Sequence, residues 1–255
     1  MLFRSTDVDN GAGALLARVI VNRLWQHHFG KGICPTSNDL GKLGEQPTDP
    51  ELLDWIAAEL PKRGWSLKAM HRLLVSSSTY RMAATAQPAA LAKDPLNDSY
   101  WRFDRRRLTA EELRDSMLAS AGTLNLQLGG PSVRPYQPAG YYRHLNFPQR
   151  DYHADTDRRQ WRRGLYVHWQ RMFLHPQLLA FDAPSREECT ANRMRSNTPK
   201  AALVLLNDPT FVEAARKLAE LAVKSGGSTD DERITFLWRR AVSRSPDAQI
   251  GRAHV

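Results

Sequence analysis

The chain has 255 residues, 42% of them hydrophobic, enough to bury one sizeable core or two small ones. Its net charge of +9 favours acidic partners, but without a recognition motif such charge gives only weak, salt-sensitive nucleic-acid binding and no specific nucleic-acid partner. No apolar run approaches the roughly 20 residues of a membrane span, and the first thirty residues lack a signal-peptide succession. The two cysteines, Cys34 and Cys189, are too few for a disulfide scaffold or a thiolate zinc site, and they read as two free, largely buried thiols.

Met1 to Asn10 has no periodicity and reads as a ragged start. From Ala14 to His28, Leu16, Val19, Ile20 and Leu24 recur at helical spacing, and Gly30 ends the pattern. His27 and His28 point about 100° apart on a helix, which suits an interaction with the helix dipole better than a shared metal ion. Gly30 to Gly44, rich in glycine and turn formers, reads as an ordered loop and not a phosphate loop, because no Gly-Lys-Ser/Thr follows a strand. Thr48 and Glu51 have capping-box spacing ahead of a helix from Pro50 to Leu60. Ser66 caps the next helix, through Leu67, Met70, Leu73, Leu74 and Val75, and Ala83 to Leu96 reads as a connection.

Thr109 and Glu112 form a second capping box, for a helix that buries Leu113, Met117 and Leu118 and stops at Gly122. Arg105, Arg106 and Arg107 precede that cap and oppose the dipole, so something acidic should balance them. Gly129 to Arg150 has four prolines, three tyrosines and almost no periodicity, which predicts an irregular wall or a surface loop. Arg162 to Arg171 alternates Leu165, Val167 and Trp169 against Tyr166, His168 and Gln170, a strand pattern, with a short helix as the alternative. Aromatics and arginines interleaved from Arg134 to Arg171, among them Tyr136, Trp161 and Trp169, suit stacking on sugars or bases; close packing with one another is the other reading. Thr229 and Glu232 cap a last helix through Ile234, Leu237 and Val242.

Phe181 to Pro209 is the densest polar stretch. Thr198 before Pro199 and Asp208 before Pro209 both read as helix starts, with helices from Pro199 to Leu206 and from Pro209 to Val223. Asp182, Arg186, Glu187, Cys189, Arg193, Arg195, Asn197, Asn207 and Asp208 are the binding or structural-network candidates here. The arginines either close an ion-pair network with Asp182, Glu187 or Asp208, or line an anion site facing the Pro199 helix. A closed network predicts that Arg193→Ala or Arg195→Ala costs more than about 2 kcal/mol. No metal site is read from the sequence. The fold class is mainly α: a single irregular helical domain over residues 1–249 with long ordered loops and at most a few short strands.

ARVIVNRLWQHHFGKGI (Ala17 to Ile33), TDPELLDWIA (from Thr48), VSSSTYR (Val75 to Arg81), RLTAEELRD (Arg107 to Asp115), GGPSVRPYQP (Gly129 to Pro138), RRGLYVHWQR (Arg162 to Arg171), FDAPSREEC and RSNTPKAALVLLNDPTFVEAAR (Arg195 to Arg216) together resemble domain of unknown function 1553. The family tends to have Leu-Gln where Lys200 and Ala201 stand and His where Asp49 stands, so no role resting on that Gln or His carries over. The resemblance implies the C-terminal domain of planctomycete cytochrome c-associated proteins. It further implies an exported or cell-envelope setting, preceding domains of the full-length chain as partners, haem c on another domain and none in this chain, and a link to polysaccharide breakdown. Ile250 to Val255, IGRAHV, resembles the translation of a sequencing adapter, so the natural chain is expected to continue beyond Gln249.

Two functions of different class are compatible with these residues. One is a non-catalytic binding or assembly module, with the Tyr136 to Trp169 wall and the Phe181 to Pro209 stretch holding a glycan or the haem domain. The other is a carbohydrate-active enzyme using carboxylates at Asp182, Glu187 or Glu188. Arginines beside these acids should keep them ionised, which favours the module.

Overall fold

The computed structural model describes residues 13–41, 43–144, 151–190 and 192–246; the ragged start and the Ile250 to Val255 tail lie outside them. Among the described residues the fold is mainly α-helical, as expected, and contains no sheet, only the isolated parallel bridges Asn125 with Arg162 and Val133 with Val167. The chain divides into two compact units, Met1–Arg106 and Arg107–Val255.

The first unit packs α1 (Gly13–Phe29), α2 (Pro50–Lys62) and α3 (Leu67–Val75), followed by the short α4 (Pro88–Lys93) inside the segment expected to be only a connection. The buried stripe of α1 is Ala17, Val21, Leu24, Trp25 and Phe29, rotated from the expected one: Leu16, Val19 and Ile20 lie at its margin. The rotation follows from the aromatics. Trp25 stacks on Phe29 with centroids 4.1 Å apart, and Tyr100 meets both rings edge-on, a larger apolar area than the aliphatic face offers.

Asn22 on α1 is fully buried and satisfied at both ends. Its Nδ2 donates to the Cys34 carbonyl at 3.0 Å, and its Oδ1 accepts from the Cys34 amide at 2.9 Å. The approach requires Gly32, where a Cβ would lie 2.8 Å from the Asn22 amide nitrogen. The glycine-rich loop is thereby ordered. Asp49, not Thr48, caps α2: its carboxylate accepts from the Leu52 amide, while the Thr48 hydroxyl donates to the Ile33 carbonyl, so the expected capping box there does not form.

In the second unit α5 (Ala110–Ser120), α6 (Pro176–Ala180), α7 (Pro199–Asn207), α8 (Pro209–Ser225) and α9 (Asp230–Val242) surround a core of Ala110, Val167, Leu174, Leu178, Phe181, Ala201 and Phe211. The capping boxes Thr109/Glu112 and Thr229/Glu232 are both formed. Thr198 makes no side-chain cap; Pro199 starts α7 without it. Arg162 to Arg171 is not a strand: Gly164–Tyr166 is a 3-10 turn, because Gly164 must lie flat on α5, where a Cβ would come 2.7 Å from the Glu111 Cα.

The largest fully buried side chain of this unit is Arg114, on the inward face of α5. Its Nη1 donates to Gln177 Oε1 at 3.2 Å, and its Nη2 donates to the Gln160 carbonyl. Gln177 Nε2 in turn donates to Asp208, whose carboxylate caps α8 at the Thr210 amide. Burial lowers the Arg114 pKa to about 10, against the pull of Asp208 and Asp115. The guanidinium therefore stays charged at neutral pH and ties α5, α6, α8 and the residue-160 loop to one point.

A polar cavity in the second unit

Residues 133–137 alternate buried and exposed: Val133, Pro135 and Gln137 point in, Arg134 and Tyr136 out. This is extended backbone without a sheet, pinned on two sides. The Val133 amide donates to the Tyr166 carbonyl at 2.7 Å, and the Val133 carbonyl accepts from the His168 amide at 2.8 Å. On the other side the Arg134 amide donates to Asp155 Oδ2 and the Arg134 carbonyl accepts from the Asp155 amide, both at 2.8 Å. Three irregular stretches are thus held side by side, and between them opens a cavity of about 330 Å³ lined by Arg134, Tyr142, Asp151, Tyr152, His168 and Gln170.

The aromatic part of this wall is braced from behind. Tyr142 meets Tyr152 edge-on at 5.3 Å and Phe173 at 6.2 Å, and Phe173 also contacts Tyr141, whose hydroxyl donates to the Leu174 carbonyl. The Tyr152 hydroxyl donates to the Pro135 carbonyl, and burial pushes its pKa well above the usual phenol range. One residue on, the Tyr136 carbonyl accepts from His175 Nε2 at 2.7 Å, while His175 Nδ1 accepts from the Gln177 amide. His175 is therefore the neutral Nε2-protonated tautomer, and burial lowers its pKa. Behind it stands the Arg114 network. Arg162, also buried, aims its fork at the carbonyls of Gln127, Gly129 and Pro131 and stacks 3.8 Å above the Tyr166 ring, which fixes the loop leading into residue 133.

The residues singled out in the sequence do not converge here. Tyr136 is exposed and contributes its carbonyl; Trp161 donates to Glu213 on α8 at 3.0 Å; Trp169 donates to the Ser185 carbonyl and carries the Arg186 guanidinium 3.7 Å above its ring. The closed ion-pair network expected across Phe181 to Pro209 is not formed among the described residues. Asp182 instead receives the amide and hydroxyl of Ser196 at 2.7 and 2.6 Å, with Arg107, whose charge it balances, at 4.0 Å. These contacts, Ser196 first, hold its pKa below the usual carboxylate value. Arg193 reaches across to Glu111 on α5 in a bidentate pair at 2.7 and 3.0 Å. Arg195, Glu187, Asn197 and Cys189 are exposed, so Cys189, unlike Cys34, is not the buried thiol expected. Asn207 bonds its own helix at the Leu203 carbonyl. The separation has a simple cause: neighbouring residues in an irregular loop point in different directions, so each arginine takes the acceptor nearest its own path.

A second depression, of about 630 Å³, runs along α9, but it is shallower, and its polar members serve the helix ends: Glu232 closes the capping box and Arg240 donates to the Ser120 carbonyl. Among the described residues no three His, Cys, Asp or Glu side chains come together to hold a metal ion, and no helix is long and apolar enough to cross a membrane. No curated protein and no solved structure matches the chain. A family model does match, over residues 8–253, and the chain belongs to that family, PSD1, a protein of unknown function (DUF1553).

Proposed function

We propose that the chain is a non-catalytic recognition module whose second unit binds a hydroxyl-rich ligand, a glycan, in the cavity at Arg134 and Tyr152. The observation that carries the reading is the lining itself: two braced tyrosine rings beside a guanidinium, a carboxylate, an imidazole and an amide. Aromatic faces give sugar rings a surface to stack on, and mixed donors and acceptors fix hydroxyl orientation. A cavity of about 330 Å³ takes a ligand the size of one or two sugar rings.

Weighing against the enzyme reading, Asp151 is the one carboxylate lining the cavity among the described residues, whereas glycoside hydrolysis ordinarily needs two across the scissile bond. Asp182 is hydrogen-bonded and kept ionised, which disqualifies it as a general acid at neutral pH. In the same reading the module works within a longer exported protein, beside a domain that carries haem c, and serves polysaccharide breakdown by holding the glycan. The test is a glycan-array screen of the wild type and of Tyr142→Ala and Asp151→Asn. Binding that both substitutions weaken at least about tenfold supports the module. Hydrolysis of any bound glycan by the wild type, lost in Asp151→Asn, replaces it with an enzyme.

A further inference from the structure

The cavity presents one cation and one anion that leave each other alone. Arg134 and Asp151 line the same space, yet no ion pair joins them among the described residues. Nor, among the described residues, does an acid behind the cavity pair with the Arg134 guanidinium. Asp155, the acid nearest along its backbone, receives the Arg134 amide through Oδ2 and lies 3.2 Å from the Arg159 guanidinium through Oδ1. The Arg134 side chain is exposed on the outward side of the alternating segment, and its charge is felt at the Tyr152 hydroxyl. An arginine fork with no acceptor among the described residues, next to an aromatic face and in a chain of net charge +9, is matched to a planar or tetrahedral oxyanion.

Resting on the recognition reading above, we infer that the ligand is an acidic saccharide, with its carboxylate or sulfate ester on Arg134 and its ring hydroxyls on Asp151. The two side chains divide the work by charge. The guanidinium donates a pair of charge-assisted bonds to the oxyanion, and the Asp151 carboxylate accepts from ring hydroxyls. With no ion pair between them among the described residues, both groups are exposed to solvent, so binding has no internal bridge to break. Arg134 is thus the specificity-determining residue of the site.

The experiment is calorimetric titration of the whole chain with disaccharides matched in ring and linkage that are neutral, uronate or sulfated, in the gluco, galacto and manno series. The expected result is that one acidic series binds about tenfold or more tighter than its neutral match at low salt, the size of one charge-assisted bond. The preference shrinks as salt rises. In Arg134→Gln the acidic-to-neutral ratio falls to about one, and in Arg134→Lys it is partly kept, with melting temperatures unchanged because the side chain is exposed. The uronate and sulfate arms tell which oxyanion the fork takes. Equal affinity for acidic and neutral sugars, or a ratio untouched by Arg134→Gln, overturns the inference and leaves the recognition reading standing. No binding to any of the sugars overturns both.

Discussion

The two units solve the same packing problem with different chemistry. The first fills its centre with Trp25, Phe29, Tyr100, Ile56, Leu60 and Met70, and its buried asparagines, Asn22 and Asn97, each bond both the amide and the carbonyl of one loop residue, Cys34 and Arg102. The second puts two arginines, Arg114 and Arg162, at its centre and uses them to collect backbone carbonyls from the residue-160 loop and from Gln127 to Pro131. The difference follows from where the core residues come from: the first core is drawn largely from α1, α2 and α3, whose carbonyls are internally paired, while the second unit carries a long stretch between α5 and α6 whose carbonyls need donors from elsewhere. An arginine supplies five donors in one rigid fork, more than any other side chain. Where a loop must be buried, a guanidinium replaces the missing ladder.

The comparison is broken most directly at Arg114. Arg114→Ala leaves Gln177 Oε1 and the Gln160 carbonyl unsatisfied and opens a cavity, so urea unfolding should show a loss of about 3 to 5 kcal/mol. Gln177→Ala added to it should cost clearly less than Gln177→Ala alone, because the two act as one unit; strict additivity would show that the network is incidental. In the first unit Leu60→Ala, at a fully buried position, should cost about 2 to 4 kcal/mol by cavity formation alone. Combined with Ile56→Val it should be nearer to additive than the network pair.

A smaller loss comes with acid, and its sign is fixed by two histidines. Burial lowers the pKa of His175, and burial followed by the neighbouring His71, His27 and Arg106 charges lowers that of His28. In the unfolded chain both groups take up protons first, as pH falls through the ordinary histidine value of 6.5, so stability is full above that value and declines below it. His175→Asn should flatten the decline over pH 7 to 5 for the second unit, and His28→Gln for the first. A decline unchanged by both would assign it to carboxylates.

The smallest effects test the loop at 186–196. Arg193 pairs with Glu111 in a half-exposed geometry, so Arg193→Ala should cost only about 1 kcal/mol, and the exposed Arg195→Ala about zero. The structure thus withdraws the penalty of more than about 2 kcal/mol that a closed network would have imposed; a penalty of that size would restore it.

What was legible in the sequence was what is local. The Thr109/Glu112 and Thr229/Glu232 boxes, the Ser66 cap and the proline starts of α7 and α8 depend on near neighbours and formed, the Thr198 hydroxyl bond excepted; the equally local Thr48/Glu51 box did not, because Thr48 is taken by the Ile33 carbonyl. Arg114 was not legible, because an arginine in the middle of an amphipathic helix reads as part of its solvated face. His175 and Gln177 sit on a five-residue helix too short to show a period. The interval from Arg134 to Arg171 was identified as aromatic and basic, but the largest rings, Trp161 and Trp169, turned to Glu213 and Arg186, and smaller ones, Tyr142 and Tyr152, took the cavity. Which aromatic faces the opening is decided by contacts tens of residues apart, such as Gly164 on Glu111, that no spacing encodes.

The pinning of residues 133–137 separates the evolvable part of the cavity from the part that keeps the chain folded. Its register rests on main-chain bonds at Val133 and Arg134 and on the inward side chains of Val133, Pro135 and Gln137. The side chains at the outward positions 134 and 136 stand on that frame without carrying it. Saturation libraries at 134 and 136 should therefore retain folded, soluble members at high frequency, while the same libraries at 133, 135 and 137 should not. A chain built this way can exchange one ligand for another by single codon changes on an unaltered backbone.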